Sequence, residues 1–135
     1  MQMKQILLIG FLFFFPWLAG AGSYTSLLRQ MGMENIREAA DPEGVYLCWE
    51  DPVYRGPVRG LAEILRTLAV QEDLVQDTHL VILENGLPQI LVKVSAADWV
   101  DYREERISWA DFVNRLLLTY ETDDVMRRFS GTKTE

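Results

Sequence analysis

The residues most often used in catalysis are scarce in this chain. His79 is the only histidine and Cys48 the only cysteine, so a Cys–His nucleophilic pair would have to use these two residues. Cys48 stands next to Trp49 inside an apolar run, which predicts a buried structural thiol, and His79 opens a predicted strand. One residue of each kind does not make a zinc site, and no glycine-rich phosphate loop occurs. The sequence therefore predicts no catalytic residue, no metal site and no cofactor.

Carboxylates are the remaining candidates for chemistry. Two acids on either side of a glycosidic bond can hydrolyse it, and the chain has 20 Asp and Glu residues. Many of them are adjacent in sequence, at 50–51, 104–105 and 123–124, which is typical of solvated surface charge. We therefore expect a protein that is not an enzyme, with a small secreted glycan-active hydrolase using paired carboxylates as the alternative.

The densest unusual segment runs from Trp49 to Arg59, between a predicted strand and a predicted helix. Loops at such junctions often carry function, and Tyr and Arg are residue types that anchor interfaces. A structural corner, in which Tyr54 packs over the sheet edge and an arginine pairs with an acid, is a compatible interpretation. The candidate interaction residues are Trp49, Glu50, Asp51, Tyr54, Arg55 and Arg59. A second aromatic group, Trp99, Tyr102 and Trp109, has helical spacing and is interpreted as core rather than as a sugar platform.

The amino-terminal segment has the pattern of a cleavable signal peptide. Lys4 precedes a run of 13 almost wholly apolar residues, 6–18, which is shorter than the ~20 residues that span a bilayer. Ala19-Gly20-Ala21 then offers small residues for cleavage after Ala21. An uncleaved anchor is the alternative. No cysteine follows this segment in the position of a lipoprotein signal, so no lipid anchor is expected.

The expected mature chain, 22–135, has the size of one domain. It carries 12 basic and 20 acidic side chains, a net charge of −8. Such a charge repels phosphate backbones, so nucleic acid is not an expected partner. A lone cysteine excludes an intrachain disulfide, which together with the signal sequence favours a periplasmic location.

Hydrophobic periodicity and turn residues predict a small two-layer α+β domain over 22–129, with a disordered tail over 130–135. Helices cover one face of a mostly antiparallel sheet in the order β-α-β-β-α(-β), after a short first helix. The predicted elements are a helix over 24–33, a strand over 45–49, a helix from Pro57, strands over 79–84 and 87–95 joined by Asn85-Gly86, and helices over 96–103 and 109–115 capped by Ser95 and Ser108. Residues 116–122 fit either a helix extension or a final strand, and we favour the strand.

Two phrases, 28–36 and 44–56, resemble the soluble portion of the YjbH-like family, outer-membrane β-barrel proteins associated with bacterial exopolysaccharide and capsule export. Trp49-Glu50-Asp51 stands where that family has a Tyr-Glu-Asn-like phrase, and Tyr54-Arg55 matches. The stretch from Asp98 to Phe112 is also similar to the family's sequence after its hairpin. Family members carry a barrel, whereas 135 residues leave no room for one. The resemblance therefore implies a stand-alone version of the soluble module.

Together these features predict a non-enzymatic periplasmic accessory module in exopolysaccharide or capsule secretion. The expected partner is an outer-membrane barrel or an exporter, with polysaccharide itself as a further candidate ligand. A general periplasmic adaptor unrelated to polysaccharide is another alternative.

Overall fold

A computed structural model describes residues 23–54 and 57–130, in which five strands form one sheet. The predicted signal peptide, Arg55 and nearly all of the predicted tail lie outside these residues. None of the described helices is long and apolar enough to cross a membrane. The elements in chain order are α1 (Ser23–Gln30), β1 (Glu34–Asp41), β2 (Gly44–Glu50), α2 (Pro57–Ala69), β3 (Thr78–Glu84), β4 (Leu87–Val94), α3 (Ala96–Arg103), α4 (Trp109–Arg115), β5 (Leu117–Thr119), α5 (Asp123–Met126) and a closing 3-10 turn (Arg127–Phe129).

The sheet has the order β1-β2-β3-β4-β5 and confirms the α+β class. Three of its four pairings are antiparallel, while β2 and β3 run parallel. A parallel pair needs a crossover connection, and α2 provides it. The segment 116–122 contains the final strand that the sequence favoured, although β5 is only three residues long.

Local signals account for most of the element boundaries. The Ser95 side chain accepts a hydrogen bond from the Asp98 backbone N–H at the start of α3. Ser108 and Asp111 form a complete capping box at the start of α4, as predicted. The Asn85-Gly86 hairpin is also confirmed, because both residues have the positive φ that this tight turn requires, 52° and 75°.

Strand β1 was not predicted, and its chemistry explains why. Most of its residues are charged or alanine, which are poor strand formers, and a bulge breaks its alternation between Glu34 and Arg37. Asn35 lies in this bulge with φ 51°, a left-handed conformation that asparagine tolerates better than most residues. The bulge leaves Ile36 fully buried.

The two faces of the sheet are covered differently. The larger core lies under α1 to α4 and contains the buried residues Leu28, Ile36, Leu47, Trp49, Ile64, Leu68, Leu80, Val92, Trp99 and Phe112, among others. The smaller cluster on the opposite face is formed by Tyr46, Cys48, Val81, Leu83, Leu91, Val125 and Phe129. Its cover is supplied by α5 and the closing 3-10 turn. These two short elements were not predicted.

Candidate functional site

Glu50, the last residue of β2, ties three elements together. Its Oε1 accepts a hydrogen bond from the Gly86 backbone N–H at 2.7 Å and another from Asn35 Nδ2 at 3.3 Å. The tip of the β3–β4 hairpin and the start of β1 therefore meet at Glu50. This carboxylate organises one end of the sheet by accepting hydrogen bonds from these two donors.

Asp51 fixes the turn that leaves β2. Its Oδ1 accepts hydrogen bonds from the backbone N–H groups of Val53 and Tyr54, both at 2.9 Å. Its Oδ2 is buried against α2 at Gly60 and has no hydrogen-bond partner among the described residues. A side chain at position 60 would overlap this oxygen, so the approach of the turn to the helix requires glycine there.

Tyr54 packs against the larger core and forms one wall of a cleft of about 480 Å³. We call this space the end cleft, because it lies where β2 and β3 end and β4 begins. It is lined by Asp51, Tyr54, Leu61, Ile82, Leu83, Glu84, Gln89, Ile90, Leu118 and Tyr120.

The lining of the end cleft combines an apolar surface with a few polar groups. Leu61 comes from α2, and Ile82 and Ile90 come from β3 and β4. Tyr120, just after β5, is 85% exposed and contributes a second tyrosine beside Tyr54. Such a surface suits an apolar or aromatic group whose polar atoms meet carboxylate and amide side chains.

The six predicted interaction residues do not form one continuous surface. Asp51 and Tyr54 line the end cleft, and Glu50, at the end of β2, bonds to the hairpin tip beside it. Trp49 is only 1% exposed and belongs to the core, because its position in β2 points it under the helices, so it cannot contact a partner directly. Arg59 is exposed on the first turn of α2 and is not part of the cleft lining. Arg55 lies outside the described residues.

Cys48 and His79 lie in or beside the smaller cluster on the opposite face. Cys48 is fully buried, as predicted, and burial raises the pKa of its thiol to about 11. This shift opposes formation of a nucleophilic thiolate at neutral pH. The His79 ring stacks on the Tyr46 ring with 4.7 Å between ring centroids.

The second aromatic group is built into the core, as the sequence indicated for Trp99. This residue is fully buried, donates from Nε1 to Thr78 Oγ1 at 2.9 Å and packs on Phe112 with 5.3 Å between ring centroids. Tyr102 and Trp109 are partly buried and pack against the same core. Their rings therefore hold α3 and α4 to the sheet.

Three residues that shape the end cleft were missed by sequence reasoning. Leu118 and Tyr120 lie in the segment 116–122, which fitted either a helix or a strand. The face of the domain to which their side chains point could therefore not be predicted. Gly60 carried a usable signal, because an isolated glycine within an amphipathic helix often marks a close approach.

No protein-family model matches the chain, and neither a curated protein nor a solved structure is similar to it at a significant level. Within residues 23–54 and 57–130, no three His, Cys, Asp or Glu side chains are grouped to hold a metal ion.

Proposed function

We propose that this protein is a non-enzymatic, exported accessory module in bacterial exopolysaccharide or capsule secretion. In this proposal it works in the periplasm and docks onto an outer-membrane barrel or exporter through the end cleft. The observation that carries the proposal is the end cleft itself, where the predicted turn residues Asp51 and Tyr54 meet the exposed Leu118 and Tyr120.

The surface around the end cleft favours protein recognition. Leu118 and Tyr120 both line the end cleft and are 56% and 85% exposed, so the cleft has an exposed apolar and aromatic margin. Exposed apolar groups that adjoin a concave surface are typical of interaction sites. Tyrosine is also a frequent energetic anchor of interfaces.

The location and the pathway rest on the sequence. The amino-terminal pattern favours export, and the phrases 28–36 and 44–56 resemble the soluble portion of the YjbH-like family. In this fold, the first phrase covers the end of α1 and the start of β1, and the second covers β2 and the turn after it. The second phrase contains Glu50 and Asp51, and Asn35 of the first phrase bonds to Glu50.

Alanine substitution of the two cleft tyrosines tests the proposal. We expect Tyr54→Ala and Tyr120→Ala each to reduce polysaccharide secretion in the producing bacterium. We also expect at least a tenfold loss of crosslinking to an outer-membrane barrel or exporter, with a photoreactive residue placed at Gln89, which is exposed and lines the end cleft. Val75→Ala is the matched control, since Val75 is 52% exposed and does not line the end cleft. Normal secretion and crosslinking by folded cleft variants would contradict the proposal.

Two outcomes would favour the alternatives. Crosslinking that depends on Tyr54 without any effect on secretion would indicate a general periplasmic adaptor. Asp51 and Glu84 both line the end cleft, and two carboxylates are what a glycan hydrolase would use. Glycan cleavage that is lost in both Asp51→Asn and Glu84→Gln would establish that hydrolase instead.

A further inference from the structure

Strand β5 is an edge strand with an apolar surface. It pairs with β4 only through residues 117–119, and no strand within the described residues pairs with its outer side. Leu117 is 67% exposed, Leu118 is 56% exposed and Tyr120 is 85% exposed. An edge of this kind presents unpaired backbone groups next to apolar side chains, which is what strand addition by another chain requires.

Depressions lie on both faces of the sheet beside β5. Leu118 is opposite Val92 of the larger core, so it points to the face that holds the end cleft. Leu117 and Thr119 point to the other face, where they line a second depression of about 700 Å³. We call it the β5 groove. Its lining is Leu91, Lys93, Leu117, Leu118, Thr119, Tyr120, Glu121, Thr122, Asp123, Asp124, Val125 and Arg127.

We propose that an extended segment of a partner protein adds to the sheet along β5. Successive side chains of a strand point to opposite faces, so alternate residues of the added segment would enter the end cleft and the β5 groove. Backbone hydrogen bonds to β5 would supply affinity, and the two depressions would select side chains. This inference rests on the proposed function, because it assumes a protein partner. It adds the way in which that partner binds.

The charges of the β5 groove specify the partner segment. Lys93 lies at one end, opposite Leu117, while Glu121, Asp123 and Asp124 follow β5 at the other end. Asp124 accepts a hydrogen bond from Arg127 at 2.7 Å, and Glu121 and Asp123 form no ion pair within the described part of the chain. The segment therefore carries apolar side chains toward the end cleft and a lysine or arginine that reaches Glu121 and Asp123.

A second copy of this chain fits the edge less well. Each expected mature copy has a net charge of −8, and pairing two β5 strands would place Leu117 and Thr119 in the groove instead of a basic side chain. Arg115, the basic residue that precedes β5, already pairs with Asp98 at 3.3 Å and Asp101 at 3.7 Å. Charge complementarity therefore favours a basic segment of another protein.

Binding of a designed peptide tests the inference without any knowledge of the natural partner. The probe is acetyl-Lys-Val-Lys-Phe-Lys-Val-Lys-amide, whose regular alternation suits either strand direction. It is titrated into the processed, isotopically labelled protein purified from the periplasm after expression of the whole chain. We expect saturable NMR shift changes centred on 117–123 and on the end cleft.

Peptide controls separate strand addition from charge attraction. A peptide of the same composition in block order keeps the charge and loses the alternation. A peptide that is N-methylated at every residue keeps the side chains and loses its main-chain donors along both edges. We expect each change to weaken binding at least tenfold. Equal binding of either control, or no binding of the probe, would overturn the inference.

Protein variants locate the binding surface. Leu117→Lys should weaken binding at least tenfold, whereas Val70→Lys should leave it unchanged, because Val70 has nearly the same exposure, 68%, away from β5. A second peptide carries serine in place of each lysine of the probe. The double variant Glu121→Gln and Asp123→Asn should weaken binding of the lysine probe more than binding of this serine peptide. Equal weakening by both lysine variants would overturn the inference, and a dimer in sedimentation that Leu117→Lys dissociates would assign the edge to a second copy instead.

The peptide assay and the secretion assay fail independently. Peptide binding along β5 with normal secretion by the tyrosine variants would retain strand addition and remove the proposed pathway. Loss of docking in Tyr54→Ala, combined with a probe that does not bind, would retain the pathway and remove strand addition.

Discussion

The two edges of the sheet, β1 and β5, are built in opposite ways. β1 is eight residues long, carries charged side chains and contains a bulge between Glu34 and Arg37. β5 is three residues long, and its exposed side chains include Leu117 and Leu118. Charges and bulges are two of the devices by which natural sheets prevent pairing at an edge. One edge of this sheet carries them and the other does not.

The cover of the two edges differs as well. Asp41 at the end of β1 accepts a hydrogen bond from Arg128 of the closing 3-10 turn at 2.7 Å, and Thr25 of α1 bonds to Glu38 in the middle of the strand. The corresponding surface at β5 opens into the end cleft and the β5 groove. β1 is therefore tied into the domain at its middle and at its end, whereas β5 is the more open edge.

Truncation of one apolar side chain at each edge gives the largest expected contrast. Ile36 is fully buried, so Ile36→Ala should lower the free energy of unfolding by about 2–5 kcal/mol through lost contacts and a residual cavity. Leu118→Ala removes a side chain that is 56% exposed and should change the free energy of unfolding by no more than about 0.5 kcal/mol. Urea unfolding followed by tryptophan fluorescence measures both changes. Equal losses at the two edges would refute the division between them.

Most of the fold was accessible from sequence because its central elements have strong local signals. Helix α2 has a regular apolar repeat, the Asn85-Gly86 turn specifies a hairpin, and Ser95 and Ser108 mark the starts of two helices. Strand β1 has no such signal, because the bulge and the charged residues that suit an edge strand interrupt the apolar alternation by which strands are predicted. The end cleft could not be predicted either, since it joins Tyr54 to Tyr120 through the pairing of β5 with β4, which no local pattern encodes.

Removal of a polar contact at the protected edge should have an intermediate effect. Glu38 Oε1 accepts hydrogen bonds from the Thr25 backbone N–H at 2.8 Å and from Thr25 Oγ1 at 3.0 Å, which joins β1 to α1. Glu38→Ala leaves both donors without this acceptor and should cost about 1–2 kcal/mol of unfolding free energy. Glu34→Ala, at an exposed position of the same strand, is the matched control. In Glu38→Ala, amide hydrogen exchange should be faster in α1. Unchanged exchange in α1 would contradict the conclusion that Glu38 joins β1 to this helix.

Mild acid should produce the smallest effect, through one partly buried histidine. Burial lowers the pKa of His79 from the ordinary 6.5, and Lys93 lowers it further against the opposing influence of Asp77 and Asp41. The unfolded chain therefore takes up this proton at a higher pH than the folded protein does. The stability linked to His79 is present above about pH 6.5 and is lost as the pH falls through the lower folded-state value.

His79→Gln isolates this contribution from the other groups that titrate in acid. Unfolding free energies of both proteins, measured between pH 7.5 and 5, should show a smaller decline for the variant, and an NMR titration of the His79 ring should give a midpoint below 6.5. Since the His79 ring stacks on Tyr46, whose hydroxyl donates to Asp41 Oδ1 at 3.2 Å, the acid-induced loosening should appear first at the β1 edge. A midpoint above 6.5, or equal declines for the two proteins, would show that His79 does not couple acid to the protected edge.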